Sequence, residues 1–243
     1  MRWNGWGAVI LLEGFYKVRF QVNDAVGRSV MYAHGGSMLG GNSAFAHYGT
    51  YREVDGVVTS EITSHRHNHD PNHKSLLGSD ISTIDVRGSA EGNIYSFIGG
   101  SPQMPGAVFR SVMTPIEEHS IPAGAVGEGG IVDGLYSIHI RLLDGVAGGL
   151  TGVMLLNNGR ILGGDAFFYY LGTYSSANGR WKGEILNQEH TPAKSEHPIF
   201  GGYEVGIGFS GTCDDQGALL EATALAGKRS LRLTAVLKLM RRA

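Results

Sequence analysis

Cysteine is almost missing from this chain: Cys213 is the single one in 243 residues. An intrachain disulfide is therefore excluded, and a reducing compartment is expected. A thiol nucleophile would need a neighbouring base, and no motif supplies one, so Cys213 reads as a small buried side chain. Proline is also scarce, at 7 residues, and charged residues make up 17% against a usual value of about 25%. The balance of 20 basic and 22 acidic residues gives a net charge of −2. With no basic surplus to neutralise phosphates, direct nucleic-acid binding is not expected. No apolar run approaches the length of a membrane-spanning helix. The short run from Trp6 to Leu12 follows one Arg and leads directly into Glu13-Gly14-Phe15-Tyr16. It is too short for a signal-peptide core and is expected to form an extra strand or a docked arm. The expected location is cytoplasmic, with no membrane association.

Glycine, by contrast, is abundant: 38 residues, more than twice the usual ~7%. With few prolines and no G-X-Y period, these glycines suggest sheets with many tight turns and bulges. A second feature is an internal repeat. Gly36 to Tyr51 reads GSMLGGNSAFAHYGTY, and Gly159 to Tyr174 reads GRILGGDAFFYYLGTY; eight of the sixteen positions are identical. Unrelated segments would share about one. The chain is an internal duplication.

The flanking segments extend the match. Glu13 to Val22 (EGFYKVRFQV) corresponds to Asp133 to Leu142 (DGLYSIHIRL). In both, apolar and polar residues alternate: Tyr16, Val18, Phe20 and Val22 share one face, as do Tyr136, Ile138, Ile140 and Leu142. A period of two with one apolar face marks a half-buried strand. Tight hairpin turns follow at matching places, at Gly35-Gly36 and Asn158-Gly159, then at Asp55-Gly56 and Asn178-Gly179. The paired glycines Gly40-Gly41 and Gly163-Gly164 suggest a bulge or sharp bend, with close approach to a ligand as the other reading. About eight strands per copy and no long helix argue for a sandwich or a closed barrel. Between the copies, Glu117 to Gly130 is rich in Gly and Ala and is expected to be a flexible linker.

The order Asp-Gly-Leu-Tyr-Ser-Ile, Asn-Gly, Ile-Leu-Gly-Gly-Asp, an aromatic strand and Gly-Thr-Tyr resembles the GrlR-like regulators, a bacterial family named for a negative regulator of a type III secretion locus. The resemblance covers Asp133 to about Lys238, and more loosely the first copy, where Glu13 and Asn42 stand in place of Asp133 and Asp165. It implies an all-β chain of two tandem eight-stranded, lipocalin-like antiparallel barrels. The first barrel, with its N-terminal arm, would occupy residues 1–119, the linker 120–131 and the second barrel 132–243. The founding member of the family acts as a dimer and sequesters a transcriptional activator, so the resemblance implies a non-enzymatic protein that binds a protein partner. The two copies are then expected to pair within one chain as that dimer does. The family engages its partner through an acidic hairpin loop. The matching hairpin here carries Glu53 and Asp55 in the first copy, while Ser175 to Gly179 in the second carries no carboxylate.

Two further candidate sites come from the residues themselves. His65, His67 and His69 would share one face if their strand continued, and imidazoles at that spacing suit zinc or nickel; Asp70-Pro71 argues for a strand end instead. The barrel interiors, lined by Tyr16, Val18, Phe20, Tyr136, Ile138 and Ile140, are either filled cores or cavities for one hydrophobic or lipid-like molecule. Carriage of such a ligand is the alternative function. No nucleophile with its base, paired carboxylates or phosphate cradle is recognisable, so neither catalysis nor a cofactor is expected. Glu61 and Glu184 recur at matching strand positions, which the duplication itself explains.

Overall fold

The computed structural model describes residues 12–69, 73–118, 122–143, 149–193 and 204–243. The N-terminal run, except Leu12, lies outside them. The first half forms β1 (Gly14–Val22), β2 (Ala25–His34), β3 (Ser37–Gly41), β4 (Phe45–Val54), β5 (Val57–Arg66), β6 (Ile81–Glu91), β7 (Ile94–Ser101) and β8 (Met104–Pro115). The second half repeats them as β9 (Gly134–Leu142), β10 (Gly149–Asn157), β11 (Arg160–Gly164), β12 (Phe168–Ala177), β13 (Arg180–Glu189), β14 (Val205–Cys213), β15 (Gly217–Ala226) and β16 (Arg229–Arg242). Each set is an antiparallel meander whose last strand pairs with its first, giving two closed eight-stranded barrels. Closure leaves neither sheet with an unpaired edge.

The tight turns are where the sequence places them. Asp55-Gly56, Asn158-Gly159, Asn178-Gly179 and Gly35-Gly36 all have positive φ at both residues, the geometry that matches the twist of two hairpin-linked strands. The paired glycines serve close approach. A Cβ on Gly40 would stand 2.1 Å from the Val30 carbonyl oxygen, and one on Gly163 would stand 2.3 Å from that of Val153. Directly after each pair, a side chain caps the connection to the next strand. Asn42 Oδ1 accepts from the amides of Ala44 and Phe45, and Asp165 Oδ1 accepts from Phe167 and Phe168.

One end of each barrel is closed by the entering chain. In the first, Leu12 is fully buried beside Tyr16, Tyr51 and Tyr95. The Tyr51 hydroxyl lies 2.5 Å from the Leu12 carbonyl and 3.0 Å from Glu13 Oε1, while Glu13 Oε1 also accepts from the Gly35 amide. In the second, Tyr174 donates to Asp133 Oδ1, which accepts from the Asn158 amide as well. The repeated acid before β1 and β9, and the repeated tyrosine that closes the Gly-Thr-Tyr motif, are thus two halves of one contact.

Each barrel has its own interior core, and a third apolar cluster joins them. Phe15, Val30, Leu39 and Ala46 of the first barrel pack with Leu135, Val153, Leu155, Leu162 and Leu171 of the second. These side chains point outward from their barrels. The joint is doubly matched: Leu39 of β3 and Leu162 of β11 both lie in it, as do Val30 of β2 and Val153 of β10. Polar contacts flank it. Arg160 Nη2 donates to Glu118 Oε2 at 2.5 Å, Thr151 Oγ1 donates to the Ser43 carbonyl at 2.6 Å, and Phe15 meets Tyr169 edge-on.

The described part of the connecting segment, residues 122–131, corrects the expectation of a flexible linker. It lies along the second barrel, with Val126 bridging Ser176 in parallel. The Gly124 amide donates to the Gly159 carbonyl and the Gly127 amide to the Ser176 carbonyl, while the Ser176 amide donates back to Ala125. The glycines here permit contact: a Cβ on Gly124 would stand 1.9 Å from the Tyr174 carbonyl oxygen.

Candidate ligand cavity in the first barrel

The first barrel encloses a cavity of about 440 Å3 lined by residues from all eight of its strands, within the usual size of a small-molecule site. Val18 and Phe20 of β1 line it. Tyr16 lies below it at the closed end, its hydroxyl donating to the Glu13 carbonyl. Tyr136, Ile138 and Ile140 face the core of the second barrel.

The cavity has an apolar wall and a polar wall. Phe20 stacks on Phe109 at a centroid separation of 6.0 Å, and Phe97, Met113 and Val86 continue the apolar surface. The Phe20 ring lies over Gly27, where a Cβ would come within 2.3 Å of it; the absent side chain makes room for the ring. The polar wall runs across three neighbouring strands. His47 of β4 pairs in register with Ser64 of β5, and Ser64 with Ser82 of β6. All three are buried cavity-lining residues.

His47 stands edge-on to Phe20 at 6.0 Å. Burial, with a smaller contribution from nearby His67, pushes its pKa down to about 4, so the ring is neutral at pH 7. Its Nε2 is buried and has no hydrogen-bond partner among the described residues. Such an orphaned polar atom is uncommon in a native interior.

The second barrel distributes its bulk differently. The positions that match His47, Val58 and Val86 hold Tyr170, Trp181 and Phe209, all buried, with the Trp181 and Phe209 rings 4.5 Å apart. In exchange, Tyr95, Phe97 and Phe109 of the first barrel are matched by the smaller Ala218, Leu220 and Leu233. Aromatic mass has moved from one wall of the barrel to the other. Ser64, Ser82 and Ser111 are matched by Asn187, Val205 and Ala235. Tyr170 and Asn187 are themselves polar, so what is particular to the first barrel is the imidazole of His47 beside the small hydroxyls of Ser64 and Ser82.

The open end of the cavity meets the second barrel. Ala166 and Phe167, in the connection between β11 and β12, complete the lining, together with His73 to Leu77 of the first barrel. Arg28 places its guanidinium carbon 5.9 Å from the centre of the Phe167 ring. Among the described residues no acidic side chain lines the cavity, and Arg28 and Lys74 are its charged lining groups.

His65, His67 and His69 do not converge on a common point. β5 ends at Arg66, whose amide donates to the Asp80 carbonyl; the next amide, that of His67, donates to Ala44, so the alternation that would align three imidazoles is broken. His67 is mostly buried, its Nε2 3.0 Å from the Asn42 carbonyl oxygen, whereas His69 is exposed. Among the described residues no three His, Cys, Asp or Glu side chains converge on a common point. His67 instead matches His190, whose Nε2 lies 3.4 Å from the Asp165 carbonyl oxygen. Both histidines brace the connection that follows the paired glycines.

Of the acidic hairpin, Glu53 Oε2 accepts from the Leu12 amide at 3.0 Å, and Asp55 occupies the exposed turn at φ 52°. One carboxylate of the pair thus helps to hold the plug at the closed end. Cys213 is buried and unpaired, and burial raises its pKa.

His47, Ser64 and Ser82 were not singled out by the sequence patterns. The available signal was the comparison of the copies, which sets His47 against Tyr170.

No protein-family model and no curated protein matches the chain. Among solved structures, a candidate outer membrane protein of Bacteroides fragilis is 9% identical, covering 93% of this chain and 96% of that one, with a TM-score of 0.25. The immune modulator A of Aeromonas veronii is 11% identical, covering 94% and 95%, with a TM-score of 0.23. Likenesses this remote carry nothing about function.

Proposed function

We propose that this protein is a non-catalytic binding protein whose first barrel holds one small, mainly apolar molecule, and whose second barrel buttresses the first and covers its open end. The observation that carries this reading is the cavity of about 440 Å3, lined by residues of all eight strands and mainly apolar. An apolar, enclosed site of this size favours ligands that lose water-exposed apolar surface on entry.

The test is uptake of the uncharged fluorescent probe N-phenyl-1-naphthylamine by the full chain. One probe per chain should bind. Val86→Phe, which installs the residue found at Phe209, should weaken binding at least about tenfold, the equivalent of 1.4 kcal/mol, without lowering the melting temperature. No uptake, or uptake indifferent to Val86→Phe, would overturn the reading.

A further inference from the structure

We infer that the occupant of the first barrel carries an uncharged oxygen function, a hydroxyl or a carbonyl, placed against the wall formed by His47, Ser64 and Ser82, with its apolar body along Phe20, Phe97 and Phe109. This rests on the proposed binding role and specifies the chemistry of the ligand.

Three observations lead to it. First, the three polar side chains occupy one continuous row, because β4, β5 and β6 are adjacent and His47, Ser64 and Ser82 are register partners. The wall thus sets an imidazole and two hydroxyls side by side on adjacent strands. Second, His47 lines the cavity, and its Nε2 is buried and lacks a partner among the described residues. Leaving a polar atom dry and unpaired is costly, and a group that restores its hydrogen bond is favoured by the same amount. Third, the second barrel fills the matching places with Tyr170, Asn187 and Val205, two of them polar and each bulkier than the residue it matches. The same fold thus closes with larger side chains where the first barrel sets an imidazole and two small hydroxyls.

The absence of formal charge at the wall decides the ligand class. His47 is neutral at pH 7, and no Lys or Arg lies in the row. A carboxylate brought there would be buried without a counter-charge, which is unfavourable. A hydroxyl or carbonyl needs none; it accepts from an N–H or O–H, and a hydroxyl also donates. The cations Arg28 and Lys74 lie at the rim, and Arg28 faces the Phe167 ring of the second barrel. They offer a competing place for an anionic head at the opening, and that competition defines the experiment.

The full chain is loaded with N-phenyl-1-naphthylamine and titrated at pH 7 with octane, 1-octanol, 2-octanone and octanoate. The wild type is compared with His47→Phe, Ser64→Ala and Arg28→Gln. The alcohol and the ketone should displace the probe at least about tenfold more tightly than octane. That advantage should disappear in His47→Phe and shrink in Ser64→Ala, while octane affinity stays within a few-fold. Binding of 1-octanol, but not octane, should also shift the His47 Nε2 resonance in a nitrogen-15 spectrum, a readout that remains if His47→Phe fails to fold. Equal affinity for octane and 1-octanol would overturn the inference. So would octanoate binding tightest with a preference lost in Arg28→Gln, since that places the head at the rim. Both results would leave apolar uptake intact; failure of the probe itself to bind would remove the premise.

Discussion

Val30 of the first barrel packs onto Gly164 of the second, and its counterpart Val153 packs onto Gly41. A Cβ built on Gly164 would stand 3.0 Å from Val30 Cγ1, and one on Gly41 would stand 2.7 Å from Val153 Cγ1. The two contacts exchange roles across the joint, as they would in an isologous dimer interface. Gly41 is confined further, since the same Cβ would lie 2.3 Å from the Phe45 carbonyl oxygen. Gly41→Ala is therefore expected to cost about 1–3 kcal/mol through overpacking. Thermal unfolding should show a melting temperature lower by several degrees, since about 1 kcal/mol corresponds to roughly 2–4 °C in a chain of this size.

The joint should also couple the unfolding of the two barrels. Leu162 is fully buried within it, and Leu162→Asp would place a charge among Val30, Leu39 and Leu155. Calorimetry of the wild type is expected to give one transition and that of Leu162→Asp two. A single undisplaced transition in the variant would show that the joint is not a source of stability.

One buried and two half-buried histidines predict loss of stability in mild acid. Burial leads the causes that push His47, His67 and His190 down to about 4, whereas an unfolded histidine titrates near 6.5. Between those values the unfolded chain binds more protons than the folded one. Stability contributed by these groups is therefore present above about pH 6.5 and declines as the pH falls towards 4. Each histidine adds a slope of at most about 1.4 kcal/mol per pH unit. Urea titrations from pH 7.5 to 4.5 should show this fall, with a shallower slope in His190→Phe.

The closed ends predict the opposite behaviour in alkali. Tyr51 and Tyr95 are raised to about 12, chiefly by burial, and Tyr174 is raised by burial and by Asp133. An unfolded tyrosine ionises near 10. Above that pH the unfolded chain releases protons the folded chain retains, so stability drops as the pH climbs from 10 towards 12. Tyr174→Phe, which removes a hydrogen bond to the Asp133 carboxylate, is expected to cost about 1.5–3 kcal/mol at pH 7 by urea denaturation.

Glu53 offers a test of its own. Its carboxylate accepts from the Leu12 amide, so Glu53→Gln should loosen the plug by about 1–2 kcal/mol. Hydrogen exchange at the Leu12 amide should accelerate accordingly, while Asp55→Asn at the exposed turn leaves that amide unchanged.

The barrels were legible in the sequence because their determinants are local. Residues Tyr16 to Val22 alternate with a period of two, and Asn-Gly and Asp-Gly turns fix the register of their hairpins. The joint was less legible, although a sign of it was present. Met38-Leu39, Ile161-Leu162 and Val153 to Leu156 are unbroken apolar stretches, and a strand apolar on both faces is one covered on both sides. The docked connection was misread because glycine serves close backbone approach as readily as flexibility; Gly124 against the Tyr174 carbonyl shows the former. The cavity depends on how side-chain volumes sum around a closed ring, as in the exchange of Val86 for Phe209 and of Phe97 for Leu220. No single strand records that sum.

A symmetric pair made of two identical chains must accept every mutation twice. Here the halves are encoded separately, and Phe167 shows what that freedom permits: its counterpart, Ala44, is small. One half can offer a blocking ring where the other offers an opening, an arrangement that a strictly two-fold assembly could not hold without stopping both entrances at once.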